Sequence, residues 1–272
     1  MGKFDGILLC TDLDGTLLTD NRSVSDEDRK AIKYFMKNGG KYTFATGRIP
    51  REAEQIRIFI EPNAPMISMN GAAIYDFKMR KFLQKLTLGA NASEVIEYVE
   101  ENFPQAGIEV STANSVYYCK SNYISEKHRV QACFPDICCN FHDITEKIMR
   151  VIFMVDTREI DTLKNKIYKA GFADKFTFFQ SGSQYYELLP HGASKGMGLK
   201  MLKKITGAKI SIGIGDMEND ISLITEADMG ASVANGASAL KSVAQYVTTA
   251  DNNHSAVAEV IRKIENGNIV LT

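Results

Sequence analysis

Two aspartates, Asp12 and Asp14, follow the short apolar run 7–10 and precede Gly15. A short apolar run that ends in a glycine turn is typical of a buried strand, and it would deliver both carboxylates to the carboxyl end of that strand. Carboxylates this close repel each other, and a hard divalent cation bound through oxygen atoms relieves the repulsion. An aspartate can also act as a covalent nucleophile and form an aspartyl-phosphate. Because Asp and Gly are also common in turns, this segment alone is equally compatible with a plain turn.

Three further polar groups could serve the same chemistry. Thr46 and Gly47 follow a second apolar run, the acidic segment 216–220 follows another, and Lys195 begins a predicted helix. Asp216 would add a third carboxylate for a magnesium ion, which prefers oxygen ligands. Thr46 offers a hydroxyl group, and the backbone N–H of Gly47 can approach an anion because no side chain blocks it. Lys195 would supply a point positive charge for a phosphate group.

Each of these groups also has an ordinary structural interpretation. Thr46 could begin a helix, Lys195 could be a solvated helix residue, and Asp216 with Asn219 and Asp220 could form a turn and a helix cap. The ordered combination is more specific than any member. In open parallel sheets, ligands bind outside the carboxyl ends of the strands, near the point where strand order reverses. Three of the four groups follow predicted strands, so together they indicate a phosphoryl-transfer site, which needs mainly positioning and charge stabilisation.

The elements that must position these groups alternate between strand and helix in the outer parts of the chain. Strands are predicted over residues 7–11, 41–45, 66–69, 210–214, 229–233 and 246–248. Helices are predicted over residues 25–38, 195–206, 220–226 and 237–245. Ser25 and Asp28, three residues apart at the start of the first helix, resemble a capping box in which Asp replaces the usual Glu. Gly39-Gly40 is predicted to end that helix. Apolar strands that alternate with helices predict a parallel sheet covered on both faces.

The middle of the chain, residues 84–186, has a different pattern. Its aromatic-rich, partly alternating runs predict strands, with a hairpin turn at residues 181–183, and two amphipathic helices are predicted over 93–102 and 159–170. We therefore predict an α/β fold with a Rossmann-like parallel-sheet core and an inserted α+β cap domain. The predicted core comprises residues 1–83 and 187–272. A length of 272 residues suits one domain plus an insertion.

Composition excludes several classes of function. Apolar residues make up 44% and charged residues 24%, and the formal net charge is -1, which gives no basic surface for nucleic acid or an anionic membrane. No apolar run approaches the roughly 20 residues of a transmembrane helix. Because the N-terminal segment has neither a signal-peptide core nor a myristoylation motif, we expect a cytoplasmic protein. The five cysteines match no zinc pattern, and we expect them to be reduced.

On these residues the chain resembles the haloacid dehalogenase-like (HAD) superfamily of phosphatases, and in particular its Cof-like branch, whose large cap is inserted between the second and third motifs. Asp12-Leu13-Asp14-Gly15-Thr16 is similar to the first motif and Thr46-Gly47-Arg48 to the second. Lys195 in the segment 193–196 is similar to the third motif, and the segment 215–220 to the fourth. The resemblance extends through segments 68–72 and 234–237 and so covers the whole core, whereas the cap matches only in position and pattern.

The resemblance implies a role for each of these residues. Asp12 would be the nucleophile and Asp14 the general acid and then base. Four residues would hold a magnesium ion: Asp12, Asp14, Asp216 and, through its backbone carbonyl, Leu13. Four residues would hold the phosphoryl group: Thr46, Gly47, Lys195 and Asn219. Asp220 would support the metal's surroundings or orient its neighbours. One departure lies at residues 254–257, where relatives usually have a glycine before a valine, and it concerns the local loop shape.

The expected function is therefore a magnesium-dependent phosphatase that hydrolyses small phosphate monoesters. The resemblance makes sugar phosphates the default class, followed by nucleotide and pyridoxal phosphates. Its partner would be a small phosphorylated metabolite, and we expect a monomer or a small homo-oligomer. Two alternatives stay open: a phosphomutase, which returns the phosphoryl group to a bound sugar, and a non-catalytic sensor of sugar phosphates. A response-regulator receiver also uses an aspartate and magnesium at strand ends, but the large insertion and the spacing of Asp12 and Asp14 fit that class poorly.

Overall fold

The structure is a computed structural model that describes residues 2–132 and 137–269. The chain divides into two compact units, Met1–Gln84 together with Ser194–Thr272, and Lys85–Ala193. We call the first the core unit and the second the inserted unit. Each unit has a hydrophobic core of its own, which is the property that defines a domain.

The first part of the core unit runs from strand β1 to strand β5. Its elements in chain order are β1 (Ile7–Thr11), α1 (Asp26–Lys37), β2 (Lys41–Phe44), α2 (Pro50–Ala53), β3 (Met66–Ser68), β4 (Ala73–Asp76) and β5 (Lys81–Lys85). Ser25 is the N-cap of α1, and its hydroxyl accepts a hydrogen bond from the backbone N–H of Asp28 at 3.0 Å. The cap predicted from the spacing of Ser25 and Asp28 is therefore confirmed.

The inserted unit alternates helices with strands. Its elements are α3 (Ala92–Asn102), β6 (Gly107–Ser111), β7 (Val116–Lys120), α4 (Tyr123–Ala132), β8 (Ile137–Cys138), β9 (Arg150–Met154), α5 (Ile160–Lys169), β10 (Phe176–Gly182) and β11 (Tyr185–Pro190). The strands form one sheet in the order β10-β11-β9-β6-β7-β8, antiparallel except between β7 and β8. Alternate residues of β6 and β9, such as Val110 and Val151, share a buried cluster with Val99 of α3 and Leu163 of α5.

The chain then completes the core unit. The remaining elements are α6 (Lys195–Thr206), β12 (Ile210–Gly215), α7 (Ile221–Glu226), β13 (Met229–Ser232), α8 (Ser238–Val243), β14 (Tyr246–Val247) and α9 (Ala256–Glu265). Helix α6 has the predicted bounds and ends at Gly207, whose φ of +65° suits a glycine at a helix end.

The main sheet of the core unit is parallel, in the order β14-β13-β12-β1-β2. β1 pairs with β12 from Ile7↔Ile210 to Thr11↔Ile214 and with β2 on its other side. The chain leaves β1 for β2 on one side and later returns to β12 on the other, so strand order reverses between β1 and β12. Ligands bind at the carboxyl ends of the strands beside such a reversal.

The predicted fold class, a parallel-sheet α/β core with an inserted α+β domain, is confirmed. The strand predicted over residues 66–69 is β3, but it belongs to a separate three-stranded sheet, β3-β4-β5, and reaches the main sheet through the bridge Ala45↔Ile67. Helices α4 and α9 were not predicted. Helix α9 carries Val257, Val260 and Ile261 at helical spacing, all buried, so its periodicity is visible in the sequence.

The structure also bears on the expectations about membrane helices and cysteines. Among residues 2–132 and 137–269, no helix combines the length and apolar character that a membrane crossing requires. Cys10, Cys119, Cys138 and Cys139 are free thiols, as expected, and Cys133 lies outside the described residues.

Candidate active site

Asp12 follows β1 directly, and the sheet fixes its backbone. Its N–H donates to the carbonyl of Ile214 at 2.9 Å, so the ladder between β1 and β12 continues to this residue. Asp216 follows β12 in the same way. Because β1 and β12 are parallel neighbours, their carboxyl ends lie at one edge of the sheet and bring both aspartates to the point where strand order reverses.

Three carboxylates meet at this edge. Asp12, Asp216 and Asp220 are buried and offer oxygen atoms that all lie within 4.8 Å of one another. Thr16 Oγ1 donates to Asp216 Oδ1 at 2.8 Å. Gly15 permits this close packing, because its φ is +78° and a Cβ atom there would collide with the Asp216 carboxylate. Burial raises the pKa of Asp216 to about 6, with a further contribution from the charge of Asp220, while the Thr16 hydrogen bond opposes the shift.

Lys195 brings a positive charge into this cluster. It is fully buried, and its Nζ donates to Asp12 Oδ1 at 2.7 Å and to Asp220 Oδ1 at 2.6 Å. It is the first residue of α6, whose N-cap, Ser194, accepts a hydrogen bond from the Met197 N–H at 3.1 Å. Burial disfavours the ammonium charge, but the two carboxylates outweigh burial and raise the pKa of Lys195 above its ordinary value. The ammonium therefore stays charged.

The same contacts act on Asp12 in the opposite sense. Burial raises the pKa of the Asp12 carboxyl well above its ordinary value, and the ammonium of Lys195 opposes this shift. The charges of Asp220 and Asp216 raise the Asp12 pKa further. Removing the repulsion between these carboxylates would thus favour the ionised form of Asp12, which is the form that can attack an electrophile.

Asp220 braces the site through both of its oxygen atoms. While Oδ1 accepts from Lys195, Oδ2 accepts from the backbone N–H groups of Asp216 at 3.0 Å and Met217 at 3.1 Å. One carboxylate therefore orients both the lysine and the loop that carries Asp216. These contacts suit the supporting role that the resemblance implies for Asp220.

The donor set fits a divalent cation. Three buried carboxylates face one ammonium, so negative charge exceeds positive charge when all four groups are ionised. Hard oxygen donors suit Mg²⁺, and a second cation would relieve the repulsion that raises the pKa of Asp12 and Asp216. Asp220 already accepts three hydrogen bonds, so Asp12 and Asp216 are the better candidates for ligands.

Two further residues that the resemblance assigns to the metal, Leu13 and Asp14, make other contacts in this structure. The Leu13 carbonyl accepts backbone hydrogen bonds from Leu17 at 3.1 Å and Leu18 at 2.8 Å. Both bonds lie within the turn that follows β1, and the role of the Leu13 carbonyl as a metal ligand stays a prediction. The Asp14 carboxylate is not part of the cluster formed by Asp12 and its neighbours.

Asp14 is instead held by Arg48. Arg48 Nε donates to Asp14 Oδ2 at 2.8 Å, and Arg48 Nη2 donates to Asp14 Oδ1 at 2.6 Å. Burial disfavours the guanidinium charge, but the two bonds and the charge of Asp14 raise the pKa of Arg48. The paired oxygen atoms match the guanidinium fork, which is the strong form of this ion pair. Arg48 belongs to the second motif but was not predicted as a site residue.

Three of the four residues predicted to hold a phosphoryl group, Thr46, Gly47 and Asn219, lie close to Asn70. Asn219 Nδ2 donates to Asn70 Oδ1 at 3.1 Å, and the Asn70 N–H donates to the Thr46 carbonyl at 3.0 Å. A Cβ atom on Gly47 would lie 2.9 Å from Asn70 Nδ2, so the missing side chain of Gly47 leaves room for this amide. Thr46 Oγ1 accepts from the Arg48 N–H at 3.2 Å. The structure thus joins the loops of the second and fourth motifs through a residue that the motifs do not include.

Asn70 lies in a strained turn. Met69, Asn70 and Gly71 have φ values of 48°, 51° and 95°, which for the first two is the left-handed region that costs an L-residue roughly 1–2 kcal/mol. Strain of this kind collects at functional sites. The Asn-Gly pair after a strand signals a turn in the sequence. It cannot place Asn70 beside Asn219, which is 149 residues away along the chain.

Comparisons with known proteins identify the family to which the chain is similar. The sequence profile of the haloacid dehalogenase-like hydrolases matches residues 9–261. The protein M6_Spy0533 of Streptococcus pyogenes serotype M6 is 28% identical over 270 residues, which cover 94% of this chain and 97% of that protein. The phosphatase YwpJ of Bacillus subtilis is 25% identical over 284 residues, covering 94% of this chain and 99% of its own. The structure of the HAD subclass IIB sugar phosphatase BT4131 superposes with a TM-score of 0.81 at 19% identity, covering 96% and 99% of the two chains.

Proposed function

The chain belongs to the haloacid dehalogenase-like hydrolases, and we propose that it is a magnesium-dependent phosphatase that forms an aspartyl-phosphate on Asp12. The observation that carries the proposal is the pairing of Lys195 with Asp12 inside the cluster of Asp216 and Asp220. A buried carboxylate held by a lysine at the carboxyl end of a central strand has the position and the partner that a phosphoryl acceptor needs.

In the proposed reaction, an oxygen of Asp12 attacks the phosphorus of a phosphate monoester in line with the leaving oxygen. The bond between phosphorus and the leaving oxygen breaks, and Asp14 donates a proton to that oxygen. The ionised Asp14 then takes a proton from a water molecule, which attacks the phosphorus of the aspartyl-phosphate. Inorganic phosphate leaves, and both the Asp12 carboxylate and the proton on Asp14 are restored.

Other residues of the core unit hold the reacting group in this proposal. Lys195 fixes one oxygen of Asp12 and offsets the charge on the phosphoryl oxygens. Thr46, Gly47 and Asn219 bind the phosphoryl group, a role supported by their common contacts with Asn70. Asp220 keeps the ammonium and the fourth-motif loop in place.

Asp12 and Asp216 would hold the magnesium ion, with Asp220 in support. When bound, the ion supplies positive charge that stabilises the phosphoryl oxygens in the transition state. Thr16 orients the Asp216 carboxylate for this purpose through its hydroxyl. The raised pKa of Asp216 reflects burial and repulsion that a cation would offset.

We propose small phosphate monoesters, in particular sugar phosphates, as the substrates. The similarity to the phosphatase YwpJ and the fold shared with the sugar phosphatase BT4131 support this class. A phosphomutase would form the same aspartyl-phosphate but return the phosphoryl group to a bound sugar. Release of inorganic phosphate separates these two reactions.

The test measures inorganic phosphate released from a panel of phosphate monoesters, in magnesium and in chelator, by the wild type and by Asp12→Asn. We expect magnesium-dependent release that the variant lacks, because its amide cannot act as the nucleophile. Acid quenching during turnover, followed by mass spectrometry, should find a phosphoryl group on the peptide that contains Asp12. Full activity in the variant would refute the assignment of the nucleophile.

The matched control is Asp156→Asn, the same change at a half-buried aspartate of the inserted unit that pairs with Arg158. It should release phosphate at the wild-type rate. If the wild type forms the phosphorylated peptide but releases little phosphate without an added sugar phosphate acceptor, the mutase replaces the hydrolase. If it binds sugar phosphates without forming the phosphorylated peptide, the sensor does.

A further inference from the structure

We propose that Arg48 is the positioning residue of Asp14, the residue that sets where the general acid points. This inference rests on the proposed function, because it concerns the carboxylate that exchanges protons in that reaction. Arg48 acts through Asp14 and not on the phosphoryl group itself. The resemblance implies phosphoryl binding for Thr46 and Gly47, the other residues of the second motif, and it assigns no role to Arg48.

The geometry of the pair fixes a direction as well as a position. The two bonds, at 2.8 and 2.6 Å, engage both oxygen atoms of Asp14 with two nitrogen atoms of one planar guanidinium. A single-point contact with an ammonium would leave the carboxylate free to rotate about that contact, whereas a two-point contact does not. Arg48 therefore determines the plane of the Asp14 carboxylate.

Asp14 needs such a partner because its surroundings do not hold it. Its side chain is 57% exposed, and its charge and that of the Asp216 carboxylate repel each other. An exposed aspartate samples several rotamers. Rotamer freedom slows a reaction when the side chain must transfer a proton, because a misplacement of about 1 Å can cost on the order of 100-fold in rate.

Arg48 can position Asp14 because its own backbone is fixed on both sides. Its carbonyl accepts from Ser68 Oγ at 2.9 Å and from the Met69 N–H at 3.2 Å, and its N–H donates to Thr46 Oγ1 at 3.2 Å. Two of these bonds come from the start of the strained turn at residues 68–71. The end of β3 and the turn that follows it therefore fix the backbone of Arg48. This contact is a reason for a strained turn to occur at this site.

The first test is the effect of Arg48→Gln and Arg48→Lys on kcat and KM for an alkyl phosphate. Gln cannot form the fork, so we expect kcat to fall by about 10- to 100-fold while KM changes by less than about twofold. Lys can make one contact, so its loss in kcat should be intermediate. A rise in KM with kcat unchanged would show that Arg48 binds substrate directly, and it would overturn the inference.

The second test asks whether Arg48 works through Asp14. The single variants and the double variant Asp14→Asn/Arg48→Gln are compared on an aryl phosphate with an acidic leaving group, because that group departs without a proton and residual turnover stays measurable. If Arg48 acts only through Asp14, adding Arg48→Gln to Asp14→Asn should change kcat by less than about twofold. Equal losses in the two backgrounds would overturn the inference.

Arg57→Gln is the matched control. Arg57 also pairs with a carboxylate through two bonds, Nε and Nη2 to Glu61 at 2.8 and 2.6 Å, and its exposed fraction of 21% is close to the 24% of Arg48. Its hydrogen bonds and cation–π contact join it to Glu61, Glu54 and Phe77, none of which belongs to the carboxylate cluster. We expect Arg57→Gln to keep the wild-type kcat, so that loss of a paired arginine alone does not explain the result for Arg48.

Failure of the inference and failure of the proposed function give different results. Wild-type phosphate release with an unaffected Arg48→Gln variant overturns the inference alone. If the wild type forms no phosphorylated peptide, the proposed function fails, and crystal structures then decide the inference. Asp14 in one orientation on Arg48 in the wild type, but in several orientations in Arg48→Gln, supports it, and the same orientation in both overturns it.

Discussion

Lys195 and Asp12 are 183 residues apart in the chain, yet they share a buried hydrogen bond of 2.7 Å. Removing one partner of a buried ion pair is costly because the other charge stays in a poorly solvating environment. Here one ammonium serves two carboxylates, Asp12 and Asp220, with Asp216 close by. The residue that we assign to charge stabilisation in the reaction is therefore also a residue on which the folded state depends.

Lys195→Met tests this dependence. Methionine has a similar volume without the charge, so Asp12 and Asp220 would stay buried without their cation. We expect the free energy of unfolding at pH 7 to fall by about 3–5 kcal/mol in urea denaturation. Lys200→Met, at an exposed lysine of the same helix that pairs with Glu226, should cost less than about 1 kcal/mol. Equal costs for the two variants would contradict the prediction.

Magnesium should stabilise the folded protein through Asp216. A ligand that binds only the folded state adds about 2.7 kcal/mol at 100 times its dissociation constant, and Tm rises accordingly. We expect a magnesium-dependent rise in Tm for the wild type, reversed by chelator, and a much smaller rise for Asp216→Asn. Asp156→Asn should respond as the wild type does. An undiminished shift in Asp216→Asn would remove Asp216 from the proposed metal site.

At the scale of elements, α1 and α9 are joined by a shared helix cap. Asp28 of α1 is buried and accepts from the N–H of Ala258, in the first turn of α9, at 2.7 Å. Ser255, just before α9, has a φ of 66°, and its hydroxyl bonds that of Ser25. The segment 254–257, where the sequence departs from its relatives, therefore contains a left-handed residue, Ser255, next to Ala256, the residue directly before Val257. The hydrogen bonds between Ser255 and Ser25 and from Ala258 to Asp28 hold the N-terminal end of α9 and offset the strain at Ser255.

The pH dependence of Asp28 follows from this burial. Burial raises the pKa of Asp28 to about 6, although the bonds from Ala258 and Ser25 oppose the shift. The folded state therefore binds a proton more tightly than the unfolded state does. Between about pH 4 and pH 6 the folded state retains a proton that the unfolded state has lost, so this contribution to stability is present at low pH and disappears as pH rises. Its size is at most about 3 kcal/mol.

Asp28→Asn should flatten this dependence. The amide is uncharged at every pH and can still accept from Ala258, so we expect urea denaturation to show less change in stability between pH 4 and pH 6 than in the wild type. At pH 7 the variant should be at least as stable as the wild type. Asp26→Asn, at an exposed residue of the same helix, should keep the wild-type slope. A wild-type slope in Asp28→Asn would refute the assignment.

At the scale of the molecule, the two units have separate cores and separate sheets. The carboxylate cluster, Lys195, Arg48 and Asn70 all belong to the core unit, whereas Leu163 is fully buried in the inserted unit. All the residues that we assign to the chemistry therefore lie in one unit. Separate cores allow local unfolding of one unit before the other.

Leu163→Ala tests this separation. Removing a fully buried leucine costs about 2–5 kcal/mol, because it leaves a cavity in addition to the lost burial. In hydrogen exchange we expect faster exchange within residues 85–193 and little change in the core unit, with the magnesium-dependent shift in Tm retained. Leu199→Ala, at a buried leucine of the core unit, should give the reverse pattern. Equal acceleration in both units by Leu163→Ala would show that they unfold together.

The sequence by itself determined the periodic elements and the residue types at their ends. β1 and α6 have their predicted bounds, because apolar runs, helical spacing and capping residues act over a few neighbouring positions. The four motifs likewise placed Asp12, Lys195 and Asp216 at the ends of elements. Short segments without a strong period, such as α2 and β5, gave no comparable signal. These depend on packing partners that lie far along the chain.

Only the tertiary structure decided which side chains meet. The pairing of Lys195 with Asp220, the fork of Arg48 on Asp14 and the amide of Asn70 beside Gly47 join segments that no local pattern relates. The engaged carbonyl of Leu13 could not be foreseen either, since a motif specifies a residue and not the direction of its backbone oxygen. Register, strand order and burial set these contacts, and all three are properties of the whole fold.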